Sequence, residues 1–185
     1  MSVNGNRRAR LALPLMCVLM TAVAACSSNP TPDIRYASEG GLDLDRRAMA
    51  LREVKALQNK GARVWCVPFA RNASGVNIRG NANTWWGKAA GVYDRGRKPV
   101  VGAVMAFAGT SGMSMGHVAV VSEVVSERML KIDHANWNRN KVSLGMLVED
   151  ISPRNDWSSV RVESNPGSFG KPYPINGFIY PKQDS

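Results

Sequence analysis

The sequence predicts an α+β domain in which helices come first and an antiparallel sheet follows. Three observations carry this. Between positions 44 and 60, apolar residues recur every three or four places with charged residues between them. From position 100 onward, runs rich in Val, Ile and Met are separated by short polar turns. The helical segments precede the strands rather than alternating with them, which is the order of an α+β fold and not of a parallel α/β one.

The first 25 residues read as an export signal. Arg7, Arg8 and Arg10 precede an apolar stretch, 11–25, that is interrupted only by Pro14. A helix crossing a bilayer core needs ~20 apolar residues, so this stretch fits a signal h-region better than a span. Val23-Ala24-Ala25-Cys26 resembles the bacterial lipobox. That resemblance implies a lipid on Cys26, attachment to a membrane and, with Ser27 next, sorting to the outer membrane. An ordinary signal peptide or an uncleaved anchor is the competing reading. Residues 26–42, polar and rich in Pro, Ser and Gly, form a tether. Residues 43–185 are then one domain, long enough for its own core.

Within that domain the first helix carries Leu44, Ala48, Leu51, Val54, Ala56 and Leu57 as its apolar face. Arg46, Arg47, Arg52, Glu53, Lys55 and Lys60 take the other positions. Asp43 or Asp45 caps its start and Gly61 ends it. Pro68 suits the first turn of a second helix, which places Cys66 at or near that helix's N-terminus. A short helical run is expected over 84–90. Strands are expected over 100–108, 117–125, 129–136, 142–148, 160–163 and 177–180, with turns at 109–116 and 126–127.

The chain is basic, with 24 Lys and Arg against 14 Asp and Glu. Three of the Arg lie in the leader, so the remainder still carries a net charge of +7. Such a surface suits an anionic partner. The basic residues are scattered, with no cluster interleaved with aromatics, and an exported chain is a poor candidate for nucleic acid. There are three cysteines. Cys17 leaves with the leader and Cys26 takes the lipid, so Cys66 has no partner for a disulfide. An unpaired thiol in an oxidising compartment is either reactive or buried and inert.

A thiol hydrolase needs a thiolate, a base, a group that orients the base and donors for an oxyanion. A helix N-terminus favours the thiolate. The two histidines of the chain, His117 and His134, both fall at or near strand ends, and strand alternation places Asn136 on the same face as His134. If the two strands pair as a hairpin, both rings reach one site.

Four motifs carry a family resemblance: Cys66-Val67-Pro68-Phe69-Ala70-Arg71, Gly80-Asn81-Ala82 with Trp85, Gly116-His117-Val118-Ala119-Val120-Val121, and His134-Ala135-Asn136-Trp137. In this order they resemble the CHAP domain, the cysteine, histidine-dependent amidohydrolases/peptidases related to NlpC/P60 enzymes, over roughly residues 46–180. The resemblance implies a papain-like α+β fold with the nucleophile-bearing helix packed on an antiparallel sheet. It implies cleavage of peptidoglycan amide bonds, by an N-acetylmuramoyl-L-alanine amidase or a stem-peptide endopeptidase. Cys66 would be the nucleophile, His117 the general base, and His134 or Asn136 the orienter. Arg79, Gly80, Asn81, Trp85 and Trp86 are candidate substrate contacts, though an aromatic pair also serves as packing and 79–81 as a solvated loop. Met113 and Met115 are either a groove lip or gap fillers.

His134 stands where the family commonly has glutamate or another polar residue, and a neutral orienter supports the thiolate less than a carboxylate does. No cofactor and no metal site is expected. The rival reading is a non-catalytic envelope module that binds stem peptides or a protein partner. A thiol transferase, or an amidase acting on another amide, is a third.

Overall fold

The computed structural model describes residues 41–182. The leader, Cys26 and most of the tether lie outside the described residues. Among those described, no helix is long and apolar enough to cross a membrane.

Helix α1 spans Leu44–Asn59 and helix α2 spans Cys66–Ser74. A 3-10 turn, Ala82–Thr84, runs into a short helix α3, Trp85–Lys88. The strands are β1 (Arg95–Gly96), β2 (Val104–Phe107), β3 (His117–Ser126), β4 (Met129–Ala135), β5 (Val142–Asp150), β6 (Ser159–Asn165) and β7 (Ser168–Ile179). Every pairing is antiparallel and the order is β1-β7-β2-β3-β4-β5-β6. The first half of β7 pairs with β6 and its second half with β2, which closes β2 to β7 into a six-stranded barrel.

Two apolar clusters follow from strand alternation. Met105, Phe107, Ala119, Val121, Ile132, Val148 and Phe178 fill the barrel. Val104, Ala106, Val118, Val120 and Ala135 point outward and meet Ala50, Val54, Phe69, Ala70 and Ala73 of the two helices. The helices therefore form a second layer over β2, β3 and β4.

The ends of α1 lie where the sequence places them. The Asp43 carboxylate accepts from the Arg46 backbone N–H at 2.9 Å, and Gly61 takes a left-handed φ of 67°. The buried face differs from expectation. Leu44 and Ala56 are exposed, while Ala50 and Val54 are buried with Leu51 and Leu57 beside them. The rotation of α1 is set by an ion pair that periodicity does not see. The Arg47 guanidinium reaches across to Asp133 of β4 at 2.5 Å, and the other carboxylate oxygen of Asp133 accepts from the Gly145 N–H at 2.8 Å.

Strand bounds differ from expectation most clearly at β2, β7 and β1. Residues 100–103 form a turn, so β2 is shorter than the 100–108 run. Strand β7 begins at Ser168, well before 177, because Pro172 and Pro174 sit inside it and mask its pattern. Strand β1, two residues long, has no periodicity to read.

Removing Arg47 strands a buried carboxylate. Arg47→Met is expected to cost about 3 kcal/mol, and adding Asp133→Asn to recover part of the loss. Equilibrium urea denaturation measures both. A loss below about 1 kcal/mol would class the pair with ordinary surface contacts.

Candidate active site

The site is assembled at the start of β3. Gly116, just before His117, has a φ of 64°, and a Cβ there would lie 2.9 Å from both the Asn83 backbone N and the Phe107 carbonyl oxygen. Only glycine permits that approach. The 3-10 turn docks in the space. The Asn83 backbone N–H donates to the Met115 carbonyl at 2.8 Å and its amide to Ser114 O at 3.0 Å. The loop 109–116 is thereby held and delivers His117 to the barrel rim.

His117 and His134 meet across the β3–β4 hairpin. Nε2 of His117 lies 3.0 Å from Nδ1 of His134, and both rings are buried. Their surroundings are aromatic. Phe107 packs edge-on to His117 with centroids 5.6 Å apart, and Trp137 covers the pair at 5.0 Å from His117 and 5.5 Å from His134. Tyr173 extends this wall from Trp137 at 5.0 Å, with the Lys171 ammonium over its ring at 5.5 Å.

Cys66 opens α2, and its thiol meets β3 at the backbone N–H of Val118, one residue past His117. It is the free cysteine of the described residues. Trp65 before it is extended (φ −135°, ψ 150°) and offers no side-chain cap, so the first N–H groups of the helix remain directed at the thiol. No hydrogen bond joins Cys66 Sγ to His117 among the described residues. Nδ1 of His117, the nitrogen not engaged with His134, makes no hydrogen bond there either.

Burial governs the protonation states. It pushes the Cys66 thiol above its ordinary value, opposed by the backbone N–H groups of Val118, Val67 and Cys66 itself. It pulls His117 well below the usual imidazole range, with His134 adding to the effect, and it pulls His134 down to about 3. The resting site at neutral pH is therefore a neutral thiol beside two neutral imidazoles. This is the direction expected from an orienter that is not a carboxylate.

Asn136 does not share the face of His134. Strand β4 ends at Ala135, and Asn136 turns left-handed with a φ of 62°, which breaks the alternation. Its carboxamide oxygen accepts from the Asn140 N–H at 2.9 Å, and its own N–H donates to Lys141 O at 2.7 Å. Asn140 in turn accepts from the Val64 N–H at 2.8 Å, two residues before Cys66. Asn136 thus shapes the loop that steadies the approach to α2. Asn140 is a positioning residue the sequence did not announce; its one signal is a polar residue in an Asn-rich turn.

The expected substrate contacts divide. Arg79, Gly80 and Asn81 are exposed ahead of the 3-10 turn, with the carbonyl oxygens of Arg79 and Asn81 tied to Lys88 and Thr84. Trp85 is fully buried in the core, which removes it from substrate contact. Trp86 is packed against Gly177, with the Arg95 guanidinium over its ring at 4.6 Å. Met113 packs into the barrel cluster, whereas Met115 is exposed. Among the described residues, no group of three or more His, Cys, Asp or Glu is placed to hold a metal ion.

The geometry thus brings a cysteine at a helix start to the strand end that carries a histidine pair at the rim of an antiparallel barrel. Residues 58–136 match the family model of the CHAP domain, a segment that contains Cys66, His117 and His134. Over this segment the chain is similar to CHAP domains, which are generally hydrolases and often act on the cell wall. No curated protein matches the chain.

The buried rings make stability depend on pH. His134 titrates near 3 in the folded chain and near 6.5 when unfolded. Between these values the unfolded chain binds a proton that the folded one refuses, so stability falls as pH drops below 6.5 and levels off near 3. The expected loss between pH 6.5 and 5 is about 2 kcal/mol for each ring held neutral. Urea midpoints across this range measure it. His134→Gln should flatten the acid limb, and a midpoint independent of pH would contradict the burial argument.

Proposed function

We propose that this protein is a cysteine amidohydrolase or peptidase of the cell envelope. On this reading it cleaves amide bonds of peptidoglycan through a thioester, on a papain-like frame. The observation that carries this is the placement of the Cys66 thiol at the start of α2, against the strand end that supplies the His117–His134 pair.

The chemistry follows from the groups present. Nδ1 of His117 takes the thiol proton as Sγ attacks the carbonyl carbon. The negative charge passes to the carbonyl oxygen, which the backbone N–H groups at the start of α2 are suited to receive. Collapse breaks the C–N bond, and His117 returns its proton to the leaving amine. Water, deprotonated by His117, then hydrolyses the thioester. His134 holds the ring of His117 throughout, so the charge formed on the imidazole is stabilised by a neutral neighbour. The exposed Arg79 and Lys171 suit the carboxylates of a stem peptide. A lipid on Cys26 would hold the domain against a membrane facing the wall, on the outer membrane by the Ser27 pattern.

A second reading has one observation in its favour. The thiol is raised by burial and lacks a hydrogen bond to His117, which suits a non-catalytic module that binds stem peptides. Catalytic contacts are often long before substrate arrives and tighten in the complex, so the two readings separate by experiment. Purified sacculi digested with the protein are expected to release fragments resolved by mass spectrometry, and Cys66→Ala to lower release by at least about 1,000-fold. Fragment masses tell an amidase from an endopeptidase. Equal release by wild type and Cys66→Ala would remove the nucleophile assignment. Binding to sacculi without release would establish the module.

A further inference from the structure

We infer that Met146 is a positioning residue: its thioether fixes the tautomer of both histidines and so keeps the lone pair of His117 available at Nδ1. This deepens the reading above and rests on it for its catalytic meaning, while its structural content stands apart.

His134 makes a contact on β5 that the sequence does not suggest. Nε2 of His134 lies 3.2 Å from Sδ of Met146 on β5. A thioether accepts a hydrogen bond weakly and has no proton to give. Two lone pairs facing each other at that distance repel, so the proton of the neutral His134 ring belongs on Nε2. Nδ1 of His134 is then an acceptor. It faces Nε2 of His117 at 3.0 Å, so that nitrogen must be the donor. A neutral His117 carrying its proton on Nε2 has its lone pair on Nδ1, the nitrogen required to take the proton of a thiol.

Every link runs in one direction. Were the proton of His134 on Nδ1, His117 would accept at Nε2 and carry its own proton on Nδ1. It would then meet the thiol with a donor, and could not act as its base. Burial of both rings makes the choice matter, because a buried neutral imidazole finds no solvent to relax its preference. A carboxylate at the position of His134 would accept from His117 without further help. A histidine there has two nitrogens and two ways to present them, and the thioether selects one. Met146 does so from a distance, with no contact to the reacting atoms.

The chain contains only two histidines, so the test is direct. Protein labelled with ¹⁵N-histidine, purified without a histidine tag, is examined at neutral pH by long-range ¹H–¹⁵N correlation, which distinguishes the tautomers. Both rings of the wild type are expected to be protonated at Nε2. In Met146→Leu, which keeps the bulk and loses the acceptor, His117 is expected to gain an Nδ1–H population. Alkylation of Cys66 by iodoacetamide should fall about tenfold in that variant, a size typical of removing an outer-shell orienting partner. Met146→Gln, whose amide oxygen accepts, should restore both. A wild-type spectrum with His134 protonated at Nδ1 overturns the inference, even should Met146→Leu fail to fold. So does a Met146→Leu spectrum and alkylation rate equal to those of wild type. The spectra are taken without substrate. Failure to release wall fragments would therefore count against the proposed activity alone, and failure of the tautomer assignment against Met146 alone.

Discussion

Strand β3 is buried on both of its faces over residues 117–121, and the site depends on that constraint. Val118 and Val120 turn outward under α2, while Ala119 and Val121 turn into the barrel. A strand in this position cannot slip by one residue without sending apolar side chains to the wrong layer. Its register is therefore firm, and so is the place where it begins. His117 takes the barrel side at the rim, and the next residue offers its backbone N–H to the thiol of Cys66. The separation of thiol and imidazole into two layers follows directly. The helix brings one from outside, the barrel rim holds the other, and the two meet only at the end of the shared strand.

The same alternation assigns different work to adjacent polar residues on β4. His134 shares the barrel side with Ile132, and Asp133 shares the helix side with Ala135. The one carboxylate beside the histidines in sequence is thus turned away from them. It binds Arg47 and the Gly145 N–H and pins α1 to the sheet. A carboxylate already held by a guanidinium is poorly suited to stabilise an imidazolium elsewhere. What remains for His117 is a neutral ring.

Much of this was legible in the sequence. Asp43 and Gly61 mark α1, Pro68 marks the first turn of α2, and the Val-rich runs mark β3 and β4 together with their histidines. The failures have specific causes. Alternation was carried one residue past the end of β4, where Asn136 adopts a left-handed backbone that an Asn side chain tolerates and a period-two pattern cannot register. The tryptophan pair is legible as either groove or packing, and the burial of Trp85 depends on a core built by distant strands. Met146 was invisible for a deeper reason. Met146 pairs with Ile132 in the ladder, and an irregularity between Ile132 and His134 shifts the register beside it. No spacing in the sequence records an irregularity of that kind.

The neutral character of the site has a physical logic of its own. A buried imidazolium beside a half-buried thiolate would require two partly desolvated charges to be held at rest. Two neutral rings and a neutral thiol avoid that cost, and their hydrogen bonds suffice to order them. Charge then arises only when the thiol proton moves, with the helix N–H groups ready for the anion. Such a site rests with a protonated thiol and neutral rings at neutral pH. On the reading proposed above, a bound carbonyl draws the proton across, since attack removes the thiolate charge as fast as it forms. The raised thiol and the depressed rings are then two results of one burial.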